Sequence, residues 1–121
     1  QKLYLGGDSG YDTHFQEIGD KMGPFDLAIL ENGQYDLSWK YIHMMPEEVI
    51  KATKDLRAKV VFPVHSSKFV LANHSWYEPL ERVSKEALLQ EQAIITPLIG
   101  EMVDLNNLNT QPTYWWKKIN L

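Results

Sequence analysis

Lys59-Val60-Val61-Phe62-Pro63-Val64-His65-Ser66-Ser67 is the stretch that decides the fold. From Val60 to Val64 it is apolar without alternation, which marks a strand covered on both faces, as in parallel sheets. Two comparable runs precede it: Lys2 to Leu5, ended by Gly6-Gly7, and Asp26 to Glu31. Between the first two, Thr13 to Met22 places Phe15, Ile18 and Met22 at helical spacing and stops at Gly23-Pro24. Between the second and third, Pro46 opens a helix that runs to about Arg57. Its acidic start at Glu47 and Glu48 and its basic end suit the helix dipole. The order is therefore βαβαβ, an α/β unit with parallel strands. Beyond it, Ser66 to Ser75 reads as a loop. Trp76 to Gln90 reads as a helix with a stripe of Leu80, Val83, Ala87 and Leu88. Ala93 to Thr96 and Glu101 to Leu105 read as a hairpin around Pro97-Leu98-Ile99-Gly100, and a polar tail follows from Asn106. Residues 1–105 thus form one half-domain and residues 106–121 a C-terminal tail.

Composition narrows the function. A chain of 121 residues with 44% hydrophobic and 23% charged side chains is an ordinary globular domain at most. Its net charge of −4 argues against a nucleic-acid partner, because a phosphate backbone rewards clustered cations. The 12 Lys and Arg are scattered, and only Lys117-Lys118 are adjacent. With no cysteine, neither a disulfide framework nor a thiolate zinc site can form. The chain enters a strand almost at once, at Lys2, without an initiator Met, so we expect it to be a piece of a longer protein.

Parallel strands deliver whatever follows them to one edge of the sheet, the edge where open α/β sheets hold ligands. Asp8 follows the first strand in Gly6-Gly7-Asp8-Ser9-Gly10-Tyr11, and His65 follows the third. A carboxylate and an imidazole meeting there are plausible cation ligands. The other reading of Asp8 is a turn cap, and that of His65 is a buried histidine satisfied by a carbonyl. His43, just ahead of Pro46, can reach the same edge to bond an oxyanion or protonate a leaving group, or it is a surface loop histidine. Tyr35, Trp39 and Tyr41 suit loop packing, and the Trp115-Trp116 pair suits packing on its own domain.

Five short segments carry a resemblance. They are Gly7-Asp8-Ser9-Gly10-Tyr11, Phe15-Gln16-Glu17-Ile18-Gly19, Gly23-Pro24-Phe25-Asp26-Leu27-Ala28, His43-Met44-Met45-Pro46-Glu47-Glu48 and the run from His65 to Asn73. In this order and spacing, from residue 3 to about residue 83, they resemble the C-terminal half of a metallo-β-lactamase-fold hydrolase. The subgroup most resembled holds the N-acyl-phosphatidylethanolamine-hydrolysing phospholipase D and its bacterial relatives, some labelled outer-membrane proteins. The resemblance implies half of an αββα sandwich, with Asp8 bridging two zinc ions and also serving catalysis, His65 binding one of them, and His43 lining the phosphodiester pocket. The family's His-x-His-x-Asp-His cluster is absent here, as is a further histidine between it and Asp8.

Several expectations follow from that resemblance. The parent would be a zinc phosphodiesterase. This chain alone, short of the roughly four ligands zinc prefers, would be inactive and empty or weakly loaded. Its partner would be the missing N-terminal half, or a second copy docked on the uncovered sheet face. A lactone hydrolase of the same fold and a non-catalytic interaction module are the alternative readings. The compartment stays open between the cell envelope and the cytoplasm.

Overall fold

The computed structural model describes residues 1–119. Four strands run parallel in chain order: β1 (Leu3–Leu5), β2 (Phe25–Glu31), β3 (Ala58–Val64) and β4 (Ala93–Ile94). They are joined by α1 (His14–Met22), α2 (Pro46–Asp55) and α3 (Glu78–Leu89). Spatial order equals chain order, so right-handed crossovers place all three helices on one face. Phe15 of α1, Val49 and Ile50 of α2, and Val83 and Ala87 of α3 accordingly share one core with Ala28, Leu30 and Val61 of the sheet. Each fully buried aliphatic side chain there contributes on the order of 1.5–3 kcal/mol. This is the α/β half-sandwich that the sequence leads one to expect.

The strand register shows why β2 and β3 read as continuous apolar runs. Leu27 pairs with Val60 on one face, Ala28 pairs with Val61 on the other, and all four are buried. The second face carries its own smaller core of Leu27, Val60 and Ile95, and the C-terminal segment covers it with Val103 and Leu108. That segment is tied down along its length. Thr113 Oγ1 donates to the Thr96 carbonyl at 3.1 Å, the Trp116 indole donates to Glu81 at 2.8 Å, and Lys117 reaches Glu81 at 3.1 Å. The C-terminal segment thus covers part of the face left open in half a sandwich, while on its β1 side Leu3 and Leu5 stay 38% and 71% exposed.

The hairpin predicted over residues 93–105 does not form. Ala93 and Ile94 instead pair in parallel with Val60 and Val61, as a strand must when a helix delivers it back across the sheet. Pro97 has no N–H to extend the ladder. Glu101 then closes a tight turn: its N–H donates to the Leu98 carbonyl at 2.9 Å, and its carboxylate accepts the Leu98 N–H at 2.8 Å. Glu101 to Leu105 is consequently irregular. Among the described residues, no helix is long and apolar enough to cross a membrane.

Candidate metal centre

Each of the first three strands ends at the same edge, and each delivers one side chain to it. After β1, Gly6 donates its N–H to the Ile29 carbonyl at 2.8 Å, and Asp8 follows two residues later. β2 ends on Glu31 itself. β3 ends on Val64, and His65 turns the chain with φ 70°, a left-handed conformation rarely held by a non-glycine residue. Strain of this kind persists where surrounding structure imposes it, commonly at functional sites. The imposing neighbour is visible: a Cβ on Gly33 would lie 1.5 Å from the His65 carbonyl oxygen, so only glycine lets these two backbones touch.

The fourth contributor arrives from the connection between β2 and α2. A single 3-10 turn, Leu37–Trp39, starts where Asp36 accepts the Ser38 N–H. The Trp39 carbonyl then accepts the His43 N–H at 2.9 Å. Gly10 pins this connection to the first loop, donating to the Tyr41 carbonyl at 3.2 Å, where a Cβ would meet the Lys40 carbonyl at 2.2 Å. The donor atoms of Asp8, His43 and His65 thus come within 4.8 Å of one another. The three residues singled out from the sequence meet in space, and His14 and His74 stand outside the cluster. His14 lies 3.3 Å from Ser9 Oγ, and His74 stacks on Tyr35 at 4.3 Å.

Sequence reasoning missed Glu31, which it treated only as the last residue of a strand. The side chain is 2% exposed and lies under both histidines. One oxygen accepts the Met44 N–H at 2.6 Å, and the other lies 3.4 Å from His43 Nδ1 and 3.6 Å from His65 Nδ1. Burial pushes this carboxyl above the usual carboxylate range, while the Met44 N–H and the two imidazoles pull the other way. A carboxylate behind two imidazoles is the arrangement that fixes ring orientation in metal sites. The one signal available in sequence was an acid closing an apolar strand at the ligand edge.

A cavity of about 260 Å³ opens over these groups, walled by Gln34, Trp39, Ile42 and Leu71 as well as Asp8, His43 and His65. Gln34 locks its rim by donating to the Phe69 carbonyl at 3.4 Å and accepting the Leu71 N–H at 3.3 Å. The donor set fits a cation: two imidazole nitrogens, one exposed carboxylate oxygen and a buried acid behind them. Three protein donors with open space beyond them suit a centre that keeps a position free for water or substrate.

Comparison with known proteins places the fold. Residues 1–66 match the family model described as a beta-lactamase superfamily domain. Outer membrane protein RomA of Klebsiella pneumoniae is 62% identical over 68 residues, covering 56% of this chain and 52% of that protein. N-acyl-phosphatidylethanolamine-hydrolyzing phospholipase D 1 of Caenorhabditis elegans is 32% identical over 111 residues, 84% of this chain and 31% of that one. The chain therefore spans only part of these relatives, 52% of the first and 31% of the second. Among solved structures, Igni18, a metallo hydrolase from Ignicoccus hospitalis, superposes with a TM-score of 0.55 at 27% identity, over 75% of this chain and 36% of its own.

Proposed function

The chain belongs to the beta-lactamase superfamily, and from that premise we propose that it is the C-terminal part of a zinc-dependent phosphodiesterase of the N-acyl-phosphatidylethanolamine phospholipase D type. The observation that carries the reading is the meeting of Asp8, His43 and His65 within 4.8 Å at the ligand edge of a parallel sheet. The name of the worm relative supplies the substrate class.

Asp8 and His65 would hold the cation, Asp8 through its carboxylate and His65 through its imidazole. When bound, the metal supplies Lewis acidity, lowering the pKa of water at the centre and offsetting charge on a phosphoryl oxygen. The rest is the work of this chain's own side chains. Glu31 faces Nδ1 of His43, which leaves Nε2 as the ring nitrogen free for substrate. When the ring carries both protons, His43 Nε2 can donate to a phosphoryl oxygen or hand that proton to the leaving alkoxide. Trp39, Ile42 and Leu71 give one side of the cavity an apolar wall.

Alone, the chain supplies fewer ligands than two metals need, so it should hold zinc weakly and turn nothing over. The remaining ligands would come from an N-terminal half docked on the β1 side of the sheet, where Leu3 and Leu5 are exposed. The same patch would draw two copies together when that half is missing. The test extends the reading frame upstream of Gln1 and measures bound zinc together with hydrolysis of bis(p-nitrophenyl) phosphate and of a lactone. We expect about two zinc ions per protein and phosphodiester turnover that Asp8→Ala and His65→Ala abolish. Lactone turnover alone would reassign the substrate. A zinc-free, inactive protein would reduce the chain to an interaction module.

A further inference from the structure

The chain from Ser66 to His74 follows the metal-site histidine directly and supplies one wall of the cleft through Leu71. Among the described residues, no backbone–backbone hydrogen bond involves this stretch. We propose that residues 66–74 are a strap whose middle swings away to open the cleft and returns to close it, and that Gln34 is its latch. What the gate admits rests on the phosphodiesterase reading, whereas the gate itself does not.

Four observations support it. The middle of the strap is tied to the rest of the fold by side chains. Buried Gln34 donates to the Phe69 carbonyl at 3.4 Å and accepts the Leu71 N–H at 3.3 Å, and Asn73 donates to Asp36 at 3.3 Å. All three bonds are longer than the usual N–H···O contact, and so weak. The strap also buries little: Phe69, Val70 and Leu71 are exposed, and Ala72 alone among residues 66–74 is buried. Sparse burial without a backbone ladder puts a segment at the low end of local stability. Its two ends, by contrast, are seated. His65 lies against Gly33, and His74 stacks on Tyr35 at 4.3 Å. Between them Ser67 holds φ 74°, a left-handed strain that release of the middle would relieve. Finally, Gln34 is itself part of the cleft wall, so a ligand entering there meets the latch and can compete for its amide.

The chain has no cysteine, so Ala72→Cys introduces a single thiol at a position 8% exposed. Its reaction with dithiodipyridine reports opening of the strap, and that of Ala87→Cys, fully buried in α3, reports opening of the whole fold. A local opening exposes little surface. In low urea, labelling at position 72 should therefore stay nearly constant while labelling at position 87 climbs steeply. Gln34→Met keeps the length of the side chain but neither bond, and should speed labelling at position 72 about tenfold without steepening its urea dependence. Asn73→Ala, an exposed change that removes the tie to Asp36, should speed it about threefold. Amide hydrogen exchange at Leu71, whose N–H Gln34 accepts, reads the same opening in the unaltered chain. Labelling at position 72 as steep in urea as at position 87 would overturn the gate, and a rate indifferent to both latch variants would overturn the latch. Neither zinc nor a phosphodiester enters these measurements. An opening strap in an inactive protein extended upstream removes only the reading of the cleft, and a rigid strap in an active one removes only the gate.

Discussion

Glu31 offers the sharpest test, because its two oxygens do different jobs. One accepts the N–H of Met44, a residue 1% exposed, and the other faces His43 Nδ1 and His65 Nδ1 at 3.4 and 3.6 Å. In Glu31→Ala the Met44 N–H is left buried without an acceptor, which costs about 1–3 kcal/mol. In Glu31→Gln the amide oxygen can keep that bond at neutral rather than charged strength, a loss of only about 1 kcal/mol. Metal binding should respond in the opposite order. The carboxylate, together with Asp8 Oδ1 at 3.5 Å from His65 Nδ1, favours protonation of both imidazoles at Nδ1. That leaves Nε2 of His65 for the metal and Nε2 of His43 for the substrate. With its oxygen on Met44, the glutamine turns its NH₂ toward the rings, demands an acceptor at Nδ1 and drives the proton to Nε2. Loss of such a supporting group typically costs 10–100-fold in metal affinity. We place Gln near the upper end and Ala near the lower, since Ala leaves the tautomer free. Urea unfolding and zinc competition against a chromophoric chelator read the two effects separately. Zinc affinity in Glu31→Gln equal to that of the unaltered chain would refute the tautomer argument. Ala no less stable than Gln would refute the role given to Met44.

Further predictions concern the backbone and the tail. Gly33→Ala puts a methyl group 1.5 Å from the His65 carbonyl oxygen, so β3 must shift, and urea unfolding should show a loss of about 3 kcal/mol. Unchanged stability would mean that the two strand ends separate freely. Because His65 holds φ 70°, His65→Gly should be more stable than His65→Ala by about 1 kcal/mol in thermal unfolding, the reverse of glycine's usual effect, although both lose the metal ligand. The Trp116 indole and then Lys117 hold the Glu81 carboxyl below its ordinary value of 4.5. A depressed folded value means that its contribution is complete above 4.5 and is lost as pH falls through the folded value. Tryptophan emission should therefore shift to the red in mild acid as the tail loosens. Glu81→Gln should remove that step, and its persistence would assign the step to another group.

The sheet was legible because burial on both faces removes the polar alternation from β2 and β3, and glycine or proline bounds the helices between them. Pro46 with Glu47 and Glu48 marked the start of α2 to the residue. The Ala93 to Leu105 region misled because a turn around Gly100 between two mixed segments looks the same whether or not the second segment pairs. What decides it is the direction in which α3 returns the chain, a property of the whole crossover. Asp8 and His65 could be placed together from topology alone, since one follows β1 closely, the other follows β3 directly, and parallel strands share an edge. Glu31 obeys the same rule at the end of β2, yet an acid there reads as a solvated strand end. It becomes a buried carboxylate only because the 32–45 connection folds back and sets Met44 and His43 over it. The visible ligands are thus those that the sheet positions, and the hidden group is the one that a returning loop converts from surface to interior. In a parallel sheet with candidate ligands at neighbouring strand ends, the residue ending the strand between them is the first place to look for the group that orients them.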